Sequence, residues 1–277
     1  MLGRAVVDEL ESADYDEVAG VDLEEIDITD LERAMSVVTF VEPAAVVNCA
    51  AYTDVDGCET ETEIAFLVNG KGPTNLAVAC REVGARLVHV STDFVFDGEK
   101  DEPYLEEDEP NPRSVYGSSK LEGEKNVSAN LEDHVIVRTA WLFGPDGVNF
   151  VDKILARAEA GEKLRVVEDQ VGSPTYTRHL ALAIRQLLET DYRGTVHAAN
   201  TGAVSWYGFA EEILAAAGYE VELETITSAE LAAPAPRPAY SVLNTDKLEL
   251  LVGETLPPWQ VGLEYYLREI GKYKGLK

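Results

Sequence analysis

Short, nearly unbroken apolar runs alternate with longer amphipathic stretches along almost the whole of this 277-residue chain. Residues 44–51 are apolar except for Asn48, and residues 86–91, 134–141, 164–167 and 195–198 also read as strands. A strand apolar on both sides must be covered on both sides, which is the situation of a parallel strand. Between these runs lie helical patterns over 4–11, 29–41, 61–83, 114–130, 149–160, 178–189 and 206–217, and a terminal one from Trp259. Thr29 with Glu32 gives a capping-box start, and Gly84 is placed to stop the long helix. A further short strand is expected over 17–21, ending at Asp22, and another near 220–224.

Strand–helix alternation of this kind predicts an α/β fold, a doubly wound parallel sheet of Rossmann type with a small C-terminal substrate lobe. Residues 1–168 are expected to form the dinucleotide-binding part. Residues 169–277, which turn richer in Pro and Gly, contribute further sheet elements and the lobe. Ligands of such a sheet lie at the carboxyl ends of the strands. Residues 50–53, 91–93 and 140–141 fall there.

One of those ends faces the start of a helix carrying Tyr116 and Lys120. Four residues apart, the two side chains share a helix face. An ammonium beside a phenol favours the phenolate, so Lys120 is expected to bring Tyr116 towards the working pH as an acid/base catalyst. The hydroxyl of Thr92 could then help to hold a carbonyl oxygen. Spacing alone does not decide this, because Tyr273 and Lys277 repeat it at the tail as a solvated helix end.

Charge narrows the partners. Asp and Glu number 51 against 23 Lys and Arg, a net charge of -28. Such a surface repels nucleic-acid phosphates and anionic lipid, so neither nucleic acid nor membrane is an expected partner. No apolar run approaches the ~20 residues of a membrane helix, no leader pattern precedes a cleavage site, and a soluble, cytoplasmic protein is expected. Self-repulsion at this level calls for screening, and the Debye length falls to about 3 Å at 1 M salt. A halophilic protein is therefore expected, with a melting midpoint that rises from low to molar KCl; a flat midpoint refutes it. Cys49, Cys58 and Cys80 show no metal-ligand spacing and read as reduced thiols. His89, His134, His179 and His197 are scattered and read as structural, and no metal site is expected. The acidic run 106–109 reads as a solvated loop.

A dinucleotide-binding sheet opens with a strand, a glycine-rich turn and a helix whose N-terminus holds the pyrophosphate. Here the helix comes at once, and Gly3 is all that stands for the turn. The first strand and glycine-rich turn are thus absent from the pattern, and a start assigned at an internal Met is the preferred explanation. Asp22, about 20 residues on, has the place of the acidic residue that binds a ribose 2′-hydroxyl. It repels a 2′-phosphate, and Leu23 beside it offers no positive charge. NADH is accordingly expected over NADPH.

Several stretches resemble the extended short-chain dehydrogenase/reductases, and within them the dTDP-4-dehydrorhamnose reductase family. They are residues 27–30 (DITD), 47–56 (VNCAAYTDVD), 91–96 (STDFVF), 116–124 (YGSSKLEGE), 138–141 (RTAW), 169–175 (DQVGSPT), 204–207 (VSWY) and 237–238 (RP). The resemblance implies reduction of the C4 keto group of a dTDP-4-dehydro-6-deoxy sugar with NADH or NADPH. Tyr116 would donate the proton, Lys120 would tune it and hold the nicotinamide ribose, and Thr92 would bond the reacting oxygen. Asp93 and Trp141 would contact the nucleotide-sugar substrate. Asp27 and Ile28 would lie at the adenine, and Ala51, Tyr52, Thr53 and Val90 along the cofactor. Phe94 stands where many relatives carry Tyr. A dehydratase would want a second carboxylate at that position. A related epimerase and a non-catalytic regulatory subunit on the same scaffold are the alternatives. A homodimer is open to the chain, since acidic surfaces can pair through bound cations.

Overall fold

The computed structural model describes residues 1–13, 15 and 17–275, so the Lys277 of the tail pair lies outside the described residues. In chain order the elements begin with α1 (Leu2–Ser12), α2 (Leu31–Val41), β1 (Ala45–Asn48), α3 (Val55–Thr60) and α4 (Thr62–Phe66). One π turn, Leu67–Lys71, leads into α5 (Gly72–Val83) and β2 (Arg86–Thr92). Then follow α6 (Val115–Asn130), β3 (His134–Thr139), β4 (Leu142–Phe143), α7 (Phe150–Glu159), β5 (Leu164–Val167), β6 (Val171–Gly172), β7 (Thr175–Tyr176) and α8 (Thr177–Leu188). The chain continues with β8 (Gly194–His197), β9 (Val204–Ser205), α9 (Trp206–Ala217) and β10 (Leu223–Ile226). It closes with α10 (Ser228–Leu231), α11 (Asp246–Val252) and α12 (Trp259–Glu269).

The main sheet has the order β1-β2-β3-β8, every pair parallel. Leu2, Val6, Leu180 and Ile184 of α1 and α8 pack on one face against Val88, Val135, Val137 and Val196. Ala34, Leu76, Cys80 and Val127 of α2, α5 and α6 cover Leu87 on the other. Helices on both faces make the doubly wound architecture that the apolar runs require. A second core joins α7, α9 and α12 to β4, β5 and β7, centred on Phe143, Phe209, Ile213 and Leu263. Three small pairs stand apart from the main sheet: β5 with β10, β4 with β7, and β6 with β9.

Three expected elements differ. Residues 17–21 form no strand and are mostly exposed. Among the described residues β1 is the edge of the main sheet, and no ladder reaches residues 17–21. Without a ladder, an apolar run has nothing to hold it extended. The cap of α2 is Asp30, whose carboxylate accepts from the Arg33 amide at 3.1 Å. Thr29 instead donates its hydroxyl to Asp27 at 2.7 Å, so the expected capping box does not form. The long helix over 61–83 is interrupted by the π turn. Pro73 has no N–H for the Asn69 carbonyl four residues back, so the backbone widens there. That carbonyl faces Gly123 of α6, where an added Cβ would stand 2.2 Å from it. The acidic loop is also less solvated than expected. Glu106 accepts from the His197 amide at 2.9 Å, and Asp108 pairs with Lys100 at 2.7 Å.

Candidate active site

The helix α6 starts where Ser114 turns its hydroxyl onto the Gly117 amide at 3.1 Å. Its first turn lies directly on the turn that follows β2. A Cβ added at Gly117 would sit 2.1 Å from the Phe94 carbonyl, so only glycine permits this approach. The approach brings Tyr116 against the end of β2. The Phe94 ring meets the Tyr116 ring edge-on, centroids 5.5 Å apart. The side chain of Thr92 lies close enough to the Tyr116 phenol to favour its ionised form. Thr92 also donates to Asp93 Oδ1 at 3.0 Å and accepts from the Phe94 amide at 3.2 Å.

One turn along α6, Lys120 is buried and donates its Nζ to the Val90 carbonyl at 2.7 Å. Burial lowers its pKa to about 8; Glu124 and Cys49 oppose the fall. The phenol of Tyr116 behaves otherwise than expected. Burial holds its pKa well above the ordinary value, with Asp93 and Cys58 adding to the rise and Thr92 opposing it. Lys120 is not among these influences, because its ammonium is turned to Val90. Tyr116 therefore keeps its proton, which is the form a general acid needs. Asp93 is buried, and desolvation pushes its carboxyl up to about 6 against hydrogen bonds from Ser241 and Thr92.

The third expected contact, Trp141, has a left-handed backbone (φ 48°). Its indole stacks on Trp206 with centroids 3.5 Å apart and planes 4° from parallel. Gly172 leaves room for it, since an added Cβ would stand 2.5 Å from the indole. Trp206 reads from sequence as packing alone; it is one wall of this aromatic platform.

The expected cofactor residues divide into two groups. Val90 meets Lys120 directly, while Ala51, Tyr52 and Thr53 follow β1. Asn69, in the π turn, clamps Tyr52 through its amide (2.8 Å) and carbonyl (3.0 Å) and also donates to Ser119 at 3.0 Å. Sequence reasoning missed Asn69; a π turn at a Pro is the signal that could have found it. Ile28 is buried in the core against Gly72, and its carbonyl accepts from Asn75 at 2.9 Å. Asp27 is exposed, and hydrogen bonds from Thr29 lower its pKa. Asp22 is exposed in a turn, where its carboxylate accepts from the Leu23 amide at 2.8 Å. The carboxylates of Asp54 and Asp56 fix loops: Asp54 caps α3, and Asp56 takes Arg237 at 2.9 Å.

A nicotinamide dinucleotide can be tested against this arrangement. Gly3 lies in the first turn of α1, where an added Cβ would be 3.7 Å from Cys49. Cys49 in turn feels the charges of both Lys120 and the Met1 amino group. The N-terminal end of α1 thus opens beside the carboxyl end of β1 and within the same neighbourhood as Lys120. Free helix amides suit a pyrophosphate, and Lys120 and Tyr116 suit a ribose and a ring beyond it. The residues fit the group.

Comparison with known proteins agrees with this geometry. The family described as RmlD substrate binding domain matches residues 1–271. A dTDP-4-dehydrorhamnose reductase of Streptomyces griseus is 45% identical over 246 residues, 86% of this chain and 81% of that protein. A crystal structure of the Bacillus anthracis reductase in complex with NADP superposes with a TM-score of 0.94. It is 39% identical and matches 97% of this chain and 95% of that one. The Clostridium acetobutylicum reductase gives a TM-score of 0.95 at 42% identity, covering 98% and 96% of the two chains. The fold is thus shared along nearly the full length, and the chain belongs to the dTDP-4-dehydrorhamnose reductase family of extended short-chain dehydrogenase/reductases.

Proposed function

We propose that this chain reduces the C4 keto group of dTDP-4-dehydro-L-rhamnose to give dTDP-L-rhamnose, with NADH or NADPH as reductant. The observation that carries the reading is the placing of Tyr116 against the turn at the end of β2, where Thr92 lies, with Lys120 one turn behind it on the Val90 carbonyl. A bound nicotinamide cofactor would supply the hydride that C4 takes up. Tyr116 gives its proton to the oxygen as negative charge develops there. The Thr92 hydroxyl holds that oxygen before and after transfer. Lys120 would present positive charge to the ribose, and the Thr92 hydroxyl would bond the phenolate left behind. Hydrogen bonds and charge placed where an oxyanion forms are worth most in a dry site, and Thr92, Asp93 and Lys120 are all buried.

Residues 1–168 would hold the cofactor, with Gly3 at the pyrophosphate, Asp22 at the adenosine ribose, and Asp27 and Ile28 at the adenine. Ala51, Tyr52, Thr53 and Val90 would line its path. Residues 169–277 return β8 to the main sheet and would complete the substrate lobe. Asp93 and the exposed edge of the Trp141–Trp206 stack would take the sugar nucleotide.

The acidic side chain of Asp22 repels a 2′-phosphate, and the exposed Leu23 beside it carries no charge to offset that. NADH is therefore expected to give the higher kcat/KM. Cofactor oxidation with dTDP-4-dehydro-L-rhamnose in molar KCl, followed at 340 nm as a roughly standard nicotinamide assay, tests both statements. A higher kcat/KM with NADPH overturns the preference; no turnover with either cofactor overturns the function.

A further inference from the structure

The helix α6 presents three ionisable residues in one line: Tyr116, Lys120 and Glu124, each four positions after the last. Such a row lies along one helix face, a turn between neighbours. The first two have roles in the proposed reaction. Glu124 has none, yet it is buried at 4% exposure and fully engaged. Its Oε1 accepts from the Ser91 hydroxyl and from Arg138 Nε at 3.0 Å. Its Oε2 accepts from Arg138 Nη2 at 2.7 Å.

These partners form a row across the sheet. Ser91 of β2 pairs in register with Arg138 of β3, which pairs with His197 of β8. All three are buried. The Phe96 ring lies 5.1 Å from the guanidinium and closes the network on that side. Glu124 is thus the point at which α6 is pinned to the middle of the sheet, one turn behind Lys120.

A buried carboxylate is costly unless it is paired, and Arg138 pairs this one. The neighbouring group is Lys120. Its surroundings are Tyr116 and Glu124 from α6, Cys49 after β1, His89 from β2 and Arg138 beyond Glu124. Tyr116 and Cys49 hold their protons at neutral pH, and burial together with Lys120 keeps His89 neutral. Glu124 therefore supplies the negative charge that sustains the ammonium in a site that otherwise strips it.

We propose that Glu124, fixed by Arg138 and Ser91, is a positioning residue: it pins α6 to the sheet so that Lys120 stays charged and aimed at the Val90 carbonyl. The proposal rests on the reading that Lys120 acts as an ammonium. The direct measurement does not depend on turnover. The Lys120 side-chain signal, identified in lysine-labelled protein by its loss in Lys120→Met, is titrated by NMR in the parent and in Glu124→Gln.

The parent should titrate near pH 8. Glu124→Gln should titrate about one pH unit lower, the usual effect of removing a nearby opposite charge. The alkaline limb of kcat/KM should move by the same amount, giving a several-fold loss at pH 8 and little loss at pH 6.5. Glu124→Asp should recover most of the shift. An unmoved Lys120 midpoint, or a loss equal at every pH, overturns the proposal and leaves Glu124 a structural residue. The double variant Glu124→Gln/Arg138→Met removes both buried charges and keeps the test open if the single variant does not fold. A moved midpoint in a protein without turnover upholds the positioning role while the proposed reaction fails.

Discussion

Tyr116→Phe lowers kcat about a thousandfold, the middle of the range for losing a positioned general acid. Binding of NADH or NADPH should stay close to that of the parent. The phenyl ring keeps its edge contact with Phe94, and the capped start of α6 is unaffected by a lost hydroxyl. What disappears is the proton that burial holds on the phenol beside Thr92. Stopped-flow measurement of hydride transfer under single turnover, beside cofactor titration by fluorescence, separates the two. A loss of less than about tenfold would place the proton donor elsewhere and remove the central assignment.

Arg138→Met should be the most destabilising single change at the site, by about 3–5 kcal/mol at neutral pH. The guanidinium makes three of the hydrogen bonds to Glu124, and both side chains are only 5% exposed. Removing it leaves a carboxylate in the interior with Ser91 as its remaining donor. Adding Glu124→Gln to Arg138→Met should recover more than half of the loss, because the orphaned charge and not the missing side-chain volume is the main cost. Urea unfolding in molar KCl measures all three variants. Equal stability of the single and double variants would show that packing of Arg138 over Phe96 dominates instead.

Much of the architecture was legible because each feature rests on local chemistry. Residues 44–51 are apolar apart from Asn48, and a strand covered on both faces follows from that. Ser114 before Val115, and Gly84 after Val83, mark helix ends through hydrogen bonds and backbone freedom that belong to those residues alone. The misses share a different cause. Residues 17–21 have strand composition, but a strand exists only through its neighbour. Thr29 and Asp30 both qualify as caps, and Asp27 decided between them by taking the Thr29 hydroxyl. The Tyr116–Lys120 spacing was readable, yet the direction in which the ammonium turns was fixed by a carbonyl 30 positions away in sequence. Glu124 was in plain view in the same row, while its partners Ser91 and Arg138 come from two other strands.

The stacked indoles of Trp141 and Trp206 leave Trp259 as the one tryptophan outside the pair. Trp259 is buried against Phe209 and far less open to change. The near-ultraviolet optical signature of this protein is therefore dominated by two coupled chromophores. Whatever tilts or parts those rings announces itself in emission and dichroism, without a dye, a label or any chemistry taking place.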